Sequence, residues 1–200
     1  MTRIILASQS PRRKKLLEQI GLSFEVFPSD VEENSSQQDP ALLVKELALL
    51  KAREVSARFQ DSLVIGADTV VVHKGKIVGK PENEEEAAEF LTSLSNSTHT
   101  VYTGVALVKS DKKGHQESGH TFFEQTKVTF STLDKQDIHT YIKSGNPLDK
   151  AGAYGIQDDL GALFVERIEG DYYNVVGFPL NRFYRELKKI MPKLTLMALK

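Results

Sequence analysis

Asp68 sits in an otherwise apolar run, Leu63 to Val72, and an unpaired buried charge costs several kcal/mol. The carboxylate therefore needs a cation, a metal ion or hydrogen-bond donors beside it, or a strand end that faces a cleft; a plain salt bridge is the competing structural reading. Two lysines could meet it. Lys51 follows Leu47 by four residues, which puts it on or beside the apolar stripe of a helix, and Lys80 is pinned between Gly79 and Pro81. Each alone is as well explained by a stem lying on apolar surface with its charge in water. A second anomaly lies at Arg12, Arg13, Lys14 and Lys15, in the opening turn of a helix predicted from Pro11. That end of a helix is positive, and each cation there is disfavoured by about 0.3–1 kcal/mol. The helix predicted after Asn83 keeps the usual preference, with Glu84, Glu85 and Glu86 in its first turn. The contrast points to an anion site in which backbone N–H groups, the Ser8 and Ser10 hydroxyls and arginine forks meet a phosphate. The alternative is a solvated basic face, which is how Lys14 and Lys15 read. Glu32 and Glu33 could join Asp68 around a hard divalent cation, and oxygen-only ligation favours Mg²⁺ or Mn²⁺.

Other chemistries have little support. The five histidines, at 73, 99, 115, 120 and 139, show no ligand spacing, and no cysteine exists to serve as nucleophile, disulfide partner or thiolate ligand. Neither GxxxxGK[ST] nor GxGxxG occurs. Lys plus Arg number 26 against 27 Asp plus Glu, so no global field recruits nucleic acid or an anionic membrane. No apolar stretch approaches the ~20 residues of a membrane helix. The opening Met1-Thr2-Arg3 with Ile4 to Ala7 is too short for a signal-peptide core, and the expectation is a cytoplasmic chain.

The elements that must position these residues follow from capping and periodicity in 200 residues that show no linker, repeat or composition step. A strand over Arg3 to Ala7 leads through Ser10, an N-cap, into a helix from Pro11 that Gly21 stops. A strand over Phe24 to Phe27 and an acidic loop precede a helix capped by Asp39-Pro40 and reaching Phe59. Leu63 to Val72 turns at Lys74-Gly75 into Lys76 to Val78, a hairpin. Asn83 with Glu86 resembles a capping box. Strands over 98–108 and 121–130, a helix from Asp134 stopped at Gly145, a strand over Ala162 to Ile168 and a helix from Pro179 to Ile190 complete a mixed α/β pattern. The expectation is one domain over 1–200, with about 191–200 as a C-terminal tail.

Five stretches carry a family resemblance: Leu6-Ala7-Ser8-Gln9-Ser10-Pro11-Arg12-Arg13, Gly66-Ala67-Asp68-Thr69-Val70-Val71, Gly79-Lys80-Pro81, Asp149-Lys150-Ala151-Gly152-Ala153-Tyr154-Gly155-Ile156-Gln157, and Gly170-Asp171-Tyr172-Tyr173-Asn174-Val175-Val176-Gly177. In this order, over residues 3 to about 185, the chain resembles the Maf proteins, also called septum formation inhibitors, which are nucleoside triphosphate pyrophosphatases. The Gly-Ile-Gln and Asp-Tyr-Tyr-Asn-Val-Val forms look like the dTTP/UTP branch. The resemblance implies an elongated, inosine-triphosphatase-like α/β fold, with a central twisted sheet, hairpins and flanking helices, and two lobes around a cleft. It implies cleavage between the α and β phosphates, with Mg²⁺ or Mn²⁺ as cofactor, dTTP and UTP as substrates and a homodimer as the common assembly.

Carried over by position, Asp68 is the general base, Arg12, Thr69 and Gln157 tune base specificity, and Ser8, Arg13, Lys51 and Lys80 hold the triphosphate. Glu33 and Asp68 are the implied metal contacts. The amide of Gln157 offers a donor and an acceptor, complementary to O4 and N3–H of uracil or thymine; flipped, it would also serve cytosine, so CTP and modified pyrimidine triphosphates stay open as substrates. One departure stands out: after Gln157 the family usually has Gly, whereas here Asp158-Asp159-Leu160 precede Gly161. The competing function is a non-catalytic nucleotide-binding regulator of cell division, which would keep the cationic clamp but have no need of Asp68.

Overall fold

A computed structural model of the chain describes residues 2–116, 119–144, 147–157 and 160–192. The helix stop expected at Gly145, the Asp158-Asp159 departure and residues 193–200 of the expected tail lie outside the described residues. In chain order the elements are β1 (Arg3–Leu6), α1 (Pro11–Gln19), β2 (Glu25–Val26), α2 (Pro40–Ser56), β3 (Ser62–His73), β4 (Lys76–Val78), α3 (Glu84–Leu94), β5 (Thr98–Ser110), β6 (His120–Phe130), α4 (Lys135–Ser144), β7 (Val165–Glu169), α5 (Tyr172–Val176) and α6 (Leu180–Ile190). The strands form one mixed sheet in the order β2-β1-β3-β5-β6-β7, with β4 paired to β3. The mixed α/β expectation holds. None of these helices is long and apolar enough to cross a membrane, among the described residues.

The chain divides into two compact units, the first made of Met1–Asp68, Thr103–Glu124 and Gly177–Lys200 and the second of Thr69–Tyr102 and Gln125–Val176. In the first unit β1 pairs in parallel with β2 on one side and β3 on the other, so α1 and α2 are crossover connections. α2 lies flat on one face of this sheet. Successive strand residues point to opposite faces, so Val64, Gly66 and Asp68 share a face, as do Ile5 with Ala7 and Gly104 with Ala106 and Val108. Ile5, Ala7, Val64, Ala106 and Val108 pack with Ala48, Ala52 and Val55 of α2 in one buried cluster. Close approach is built in: a Cβ on Gly66 would lie 2.2 Å from the Ala48 carbonyl oxygen, and one on Gly104 would lie 2.2 Å from that of Val44. Each fully buried Val or Ile here contributes roughly 1.5–3 kcal/mol of transfer free energy. α6 buries Leu180, Phe183 and Leu187 at helical spacing, and its buried Glu186 accepts hydrogen bonds from Arg182 and Lys189 and pairs with His120.

In the second unit the predicted hairpin forms at Lys74-Gly75, both with positive φ, which suits the twist of paired strands. Asn83 caps α3 by accepting the Glu86 N–H, and Glu86 reaches back to the N–H of Glu82. Phe130, Tyr154 and His99 pack edge to face, with the Phe130 and Tyr154 centroids 4.7 Å apart. His99 Nε2 meets the Tyr154 hydroxyl at 2.7 Å.

Three differences from the sequence reading have local causes. α2 ends at Ser56 instead of reaching Phe59, because the Arg58 and Phe59 N–H groups turn tightly onto Val55 and Ser56. The strand expected from Ala162 starts at Val165: residues 161–164 form a 3-10 turn in which Gly161 sits against the Gly155 carbonyl, 2.5 Å from where a Cβ would be. Tyr172–Val176, read without an element, is a short helix.

Candidate functional site

The order β2-β1-β3 makes the end of β1 a topological switch point: the chain leaves β1 toward one neighbour, then returns on its other side as β3. In sheets wound this way ligands bind outside the carboxyl ends of the strands at such a point. Ala7-Ser8 follows β1, its ladder extended by the Ala7 N–H onto the Ile65 carbonyl, and Asp68 lies three residues beyond Ile65 on β3. Topology alone thus sets Ser8, Asp68 and the start of α1 around one place in the first unit.

Lys51 and Asp68 solve each other's problem. The small-residue contact at Gly66 brings α2 onto β3, and one helical turn past Ala48 the Lys51 ammonium reaches the carboxylate two residues beyond Gly66. Lys51 Nζ stands 2.7 Å from Asp68 Oδ1 and 2.9 Å from Glu33 Oε1. The two inner partners are nearly dry, 13% and 11% exposed at the side chain, whereas Glu33 is 52% exposed. The Asp68 anomaly is therefore answered by a lysine bridging two carboxylates.

Beside this trio Arg13 is fixed at both ends. Its Nε donates to the Gly177 carbonyl at 3.0 Å and its Nη1 to Ser8 Oγ at 3.2 Å. Ser8 Oγ also accepts the Ser10 N–H at 3.2 Å, so both hydroxyl lone pairs are engaged and its O–H remains a donor. Ser10 in turn caps α1. Burial pulls the Arg13 guanidinium below its ordinary pKa; Asp68 and Glu33 oppose the fall and Arg12 adds to it. Arg13 nevertheless stays charged at any working pH. The arrangement sets Arg12, Arg13 and Lys51 against Glu33 and Asp68, with a hydroxyl donor among them, which suits an oxyanion chain. Gly177 was missed as a contributor from sequence: it lies 164 residues from Arg13, and only its backbone acts.

The other expected site residues belong to the second unit. Thr69 follows Asp68 on β3 and is half-buried. Lys80 is exposed just after β4, and the preceding Gly79 carbonyl accepts the Gly152 N–H at 2.9 Å. Gly152, at φ +71, packs on Val71; Gln157 lies exposed in a turn a few residues on, after the buried Ile156. Lys150 is buried and ion-paired to Asp149 at 2.7 Å. The structure thus gathers Ser8, Arg13, Glu33, Lys51 and Asp68 in the first unit, with Arg12 beside Arg13, and ties Lys80 and the 152–157 segment into the second.

The family model described as "Maf-like protein" matches residues 3–190. The chain belongs to the Maf family. Among curated relatives, a dTTP/UTP pyrophosphatase of Bacillus cereus is 51% identical over 190 residues, covering 94% of this chain and 96% of its own. Another protein of that name, from Bacillus thuringiensis subsp. konkukian, is 50% identical with the same coverage. A solved HAM1 protein from Coxiella burnetii matches at TM-score 0.47 and 16% identity, over 68% of this chain and 76% of that one.

Whether a divalent cation suits this Maf chain can be judged from its donors. Among the described residues no three His, Cys, Asp or Glu side chains gather to hold an ion, so an all-protein cage is absent there. Glu33 and Asp68, brought to one ammonium, do suit Mg²⁺ or Mn²⁺, which bind through one or two carboxylates and complete their shell with water and substrate phosphates.

Proposed function

We propose that this Maf protein is a nucleoside triphosphate pyrophosphatase that hydrolyses dTTP and UTP to the monophosphate and pyrophosphate. The observation that carries the reading is the Lys51 ammonium between Asp68 and Glu33, next to an arginine and a serine hydroxyl preset for an oxyanion. The names of its relatives, covering 94% of the chain, supply the substrates.

In this reading Arg12, Arg13 and Lys51 offset charge on the phosphate chain, most strongly as the bond to the leaving group loosens, a role that falls to Lys80 by family position alone. The Ser8 O–H donates to a phosphate oxygen. Asp68 accepts a proton from water as the water oxygen bonds to the α phosphorus; the bond from that phosphorus to the α–β bridging oxygen breaks, and pyrophosphate leaves with those electrons. Glu33 and Asp68 would hold a divalent cation, whose chemistry is to polarise phosphate oxygens and acidify water. By family position Thr69, Arg12 and Gln157 select the base, and the Gln157 amide matches the O4 and N3–H edge of uracil or thymine. A cysteine-free chain suits the reducing cytoplasm, where we place the reaction, and a homodimer is the assembly we expect in sedimentation.

Purified protein with Mg²⁺ or Mn²⁺ and a panel of nucleoside triphosphates tests the reading. The expected result is pyrophosphate released fastest from dTTP and UTP. Asp68→Asn should abolish turnover while calorimetry still detects nucleotide binding. No pyrophosphate from either substrate would sink the enzyme reading in favour of a nucleotide-binding regulator, and an Asp68→Asn variant with full activity would remove Asp68 as the base.

A further inference from the structure

Lys51 Nζ lies within 2.9 Å of an oxygen of each carboxylate proposed to hold the metal. A Mg²⁺-sized ion must approach those oxygens to about 2.0–2.1 Å. The ammonium therefore occupies the place from which a single ion would reach Glu33 Oε1 and Asp68 Oδ1 together, and its charge repels an ion from the remaining oxygen of each carboxylate. From this we infer that Lys51 is an internal counter-ion that keeps the Glu33 and Asp68 pair closed to metal until a phosphate chain arrives, so that metal enters with or after nucleotide. The inference rests on the pyrophosphatase reading and adds an order of binding to it.

The surroundings favour that order. Pulling Lys51 off the carboxylates without an anion nearby would leave its charge near Arg12 and Arg13, in a site where Asp68 and Lys51 are mostly shielded from water. Metal alone is thus opposed by three neighbouring cations. A triphosphate reverses the balance, because its oxygens give the ammonium a new partner at the moment the carboxylates are released. The α2 backbone packs directly on β3 at Gly66, but the four-carbon stem of lysine lets its ammonium swing. The half-exposed Glu33 marks the wet side of the pair and the dry Asp68 its inner side, so an incoming ion meets Glu33 first. One movement of one side chain opens the metal ligands and delivers positive charge to the phosphates.

The test is Mn²⁺ binding to the full chain without nucleotide, measured by the spin-resonance signal of free Mn²⁺. Lys51→Met should bind Mn²⁺ at least tenfold more tightly than the unsubstituted protein, about 1.4 kcal/mol, and should gain more in melting temperature on adding Mn²⁺. Adding Asp68→Asn to Lys51→Met should erase the gain. Equal or weaker Mn²⁺ binding in Lys51→Met, or a gain that survives Asp68→Asn, overturns the inference. If the methionine variant does not fold, the unsubstituted protein decides by itself: its affinity for Mn²⁺ should rise at least tenfold, about 1.4 kcal/mol, when a non-hydrolysable dTTP analogue is present, after correction for Mn²⁺ held by the free analogue. Equal Mn²⁺ affinity with and without the analogue overturns it. A protein that releases pyrophosphate yet shows no Lys51 effect refutes the order alone; one with no turnover on any substrate refutes the underlying reading.

Discussion

Replacing Gly66 by alanine tests whether the packing of α2 sets the chemistry. The added Cβ would stand 2.2 Å from the Ala48 carbonyl oxygen and 2.9 Å from both the backbone nitrogen and the Cβ of Ala52, all on α2. These are backbone atoms or a stub with no rotamer to yield, so the helix itself must retreat by about 1 Å to restore van der Waals distance. Overpacking of this kind costs about 1–3 kcal/mol, which for a chain of this size lowers the melting temperature by roughly 2–12 °C. The same retreat moves the Lys51 backbone away from Asp68 and from the phosphates it would meet, so its ammonium keeps its present 2.7 Å contact only if the stem extends further. Misplacement on this scale can reduce a rate by about 100-fold. Scanning fluorimetry and a coupled pyrophosphate assay read the two effects on one preparation. A Gly66→Ala protein as stable and as active as the parent would show that the contact positions nothing.

Gln157→Ala should change the ratio of turnover among UTP, dTTP and CTP more than overall turnover; an unchanged ratio in a substrate panel would place base reading elsewhere. Acid should weaken the fold through His99, whose pKa burial, with a smaller push from His73, pulls down to about 3. The unfolded chain, titrating near 6.5, then binds more protons than the folded one between those values, so stability is full above 6.5 and falls as pH drops. By pH 5 the loss is about 2 kcal/mol, or roughly 4–8 °C in melting temperature, and His73, lowered by burial and by Lys74, adds in the same direction. Glu186, held below its usual range by Lys189 and His120 against the effect of burial, contributes only at lower pH. His99→Gln should flatten the decline between pH 6.5 and 5; an unchanged slope would assign it to other groups.

Local rules were legible in the sequence because local atoms enforce them. Ser10 with Pro11, Asp39 with Pro40, and Asn83 with Glu86 each cap a helix through a side chain within three residues of the N–H it accepts. Asp68 and Lys51 were legible as problems, an anion in an apolar strand and a cation on an apolar stripe, and the structure pairs them. Their pairing itself depends on Gly66 and Gly104, whose meaning appears only once a helix carbonyl is found where a Cβ would go. The Gly177 carbonyl was illegible for a related reason, since a backbone acceptor leaves no mark in residue type. Residues 162–164 read as strand although they lie in a 3-10 turn, because the close approach of Gly155 to Gly161 is invisible to periodicity.

The Ser8 hydroxyl carries a consequence for selectivity. With its lone pairs given to the Ser10 amide and the Arg13 guanidinium, it has only a hydrogen left to offer. Whatever lands on it must bring a lone pair: a phosphate oxygen fits, and a group that can only donate does not. The position is a filter against ammonium, guanidinium and amide N–H groups, made from one serine and two N–H groups.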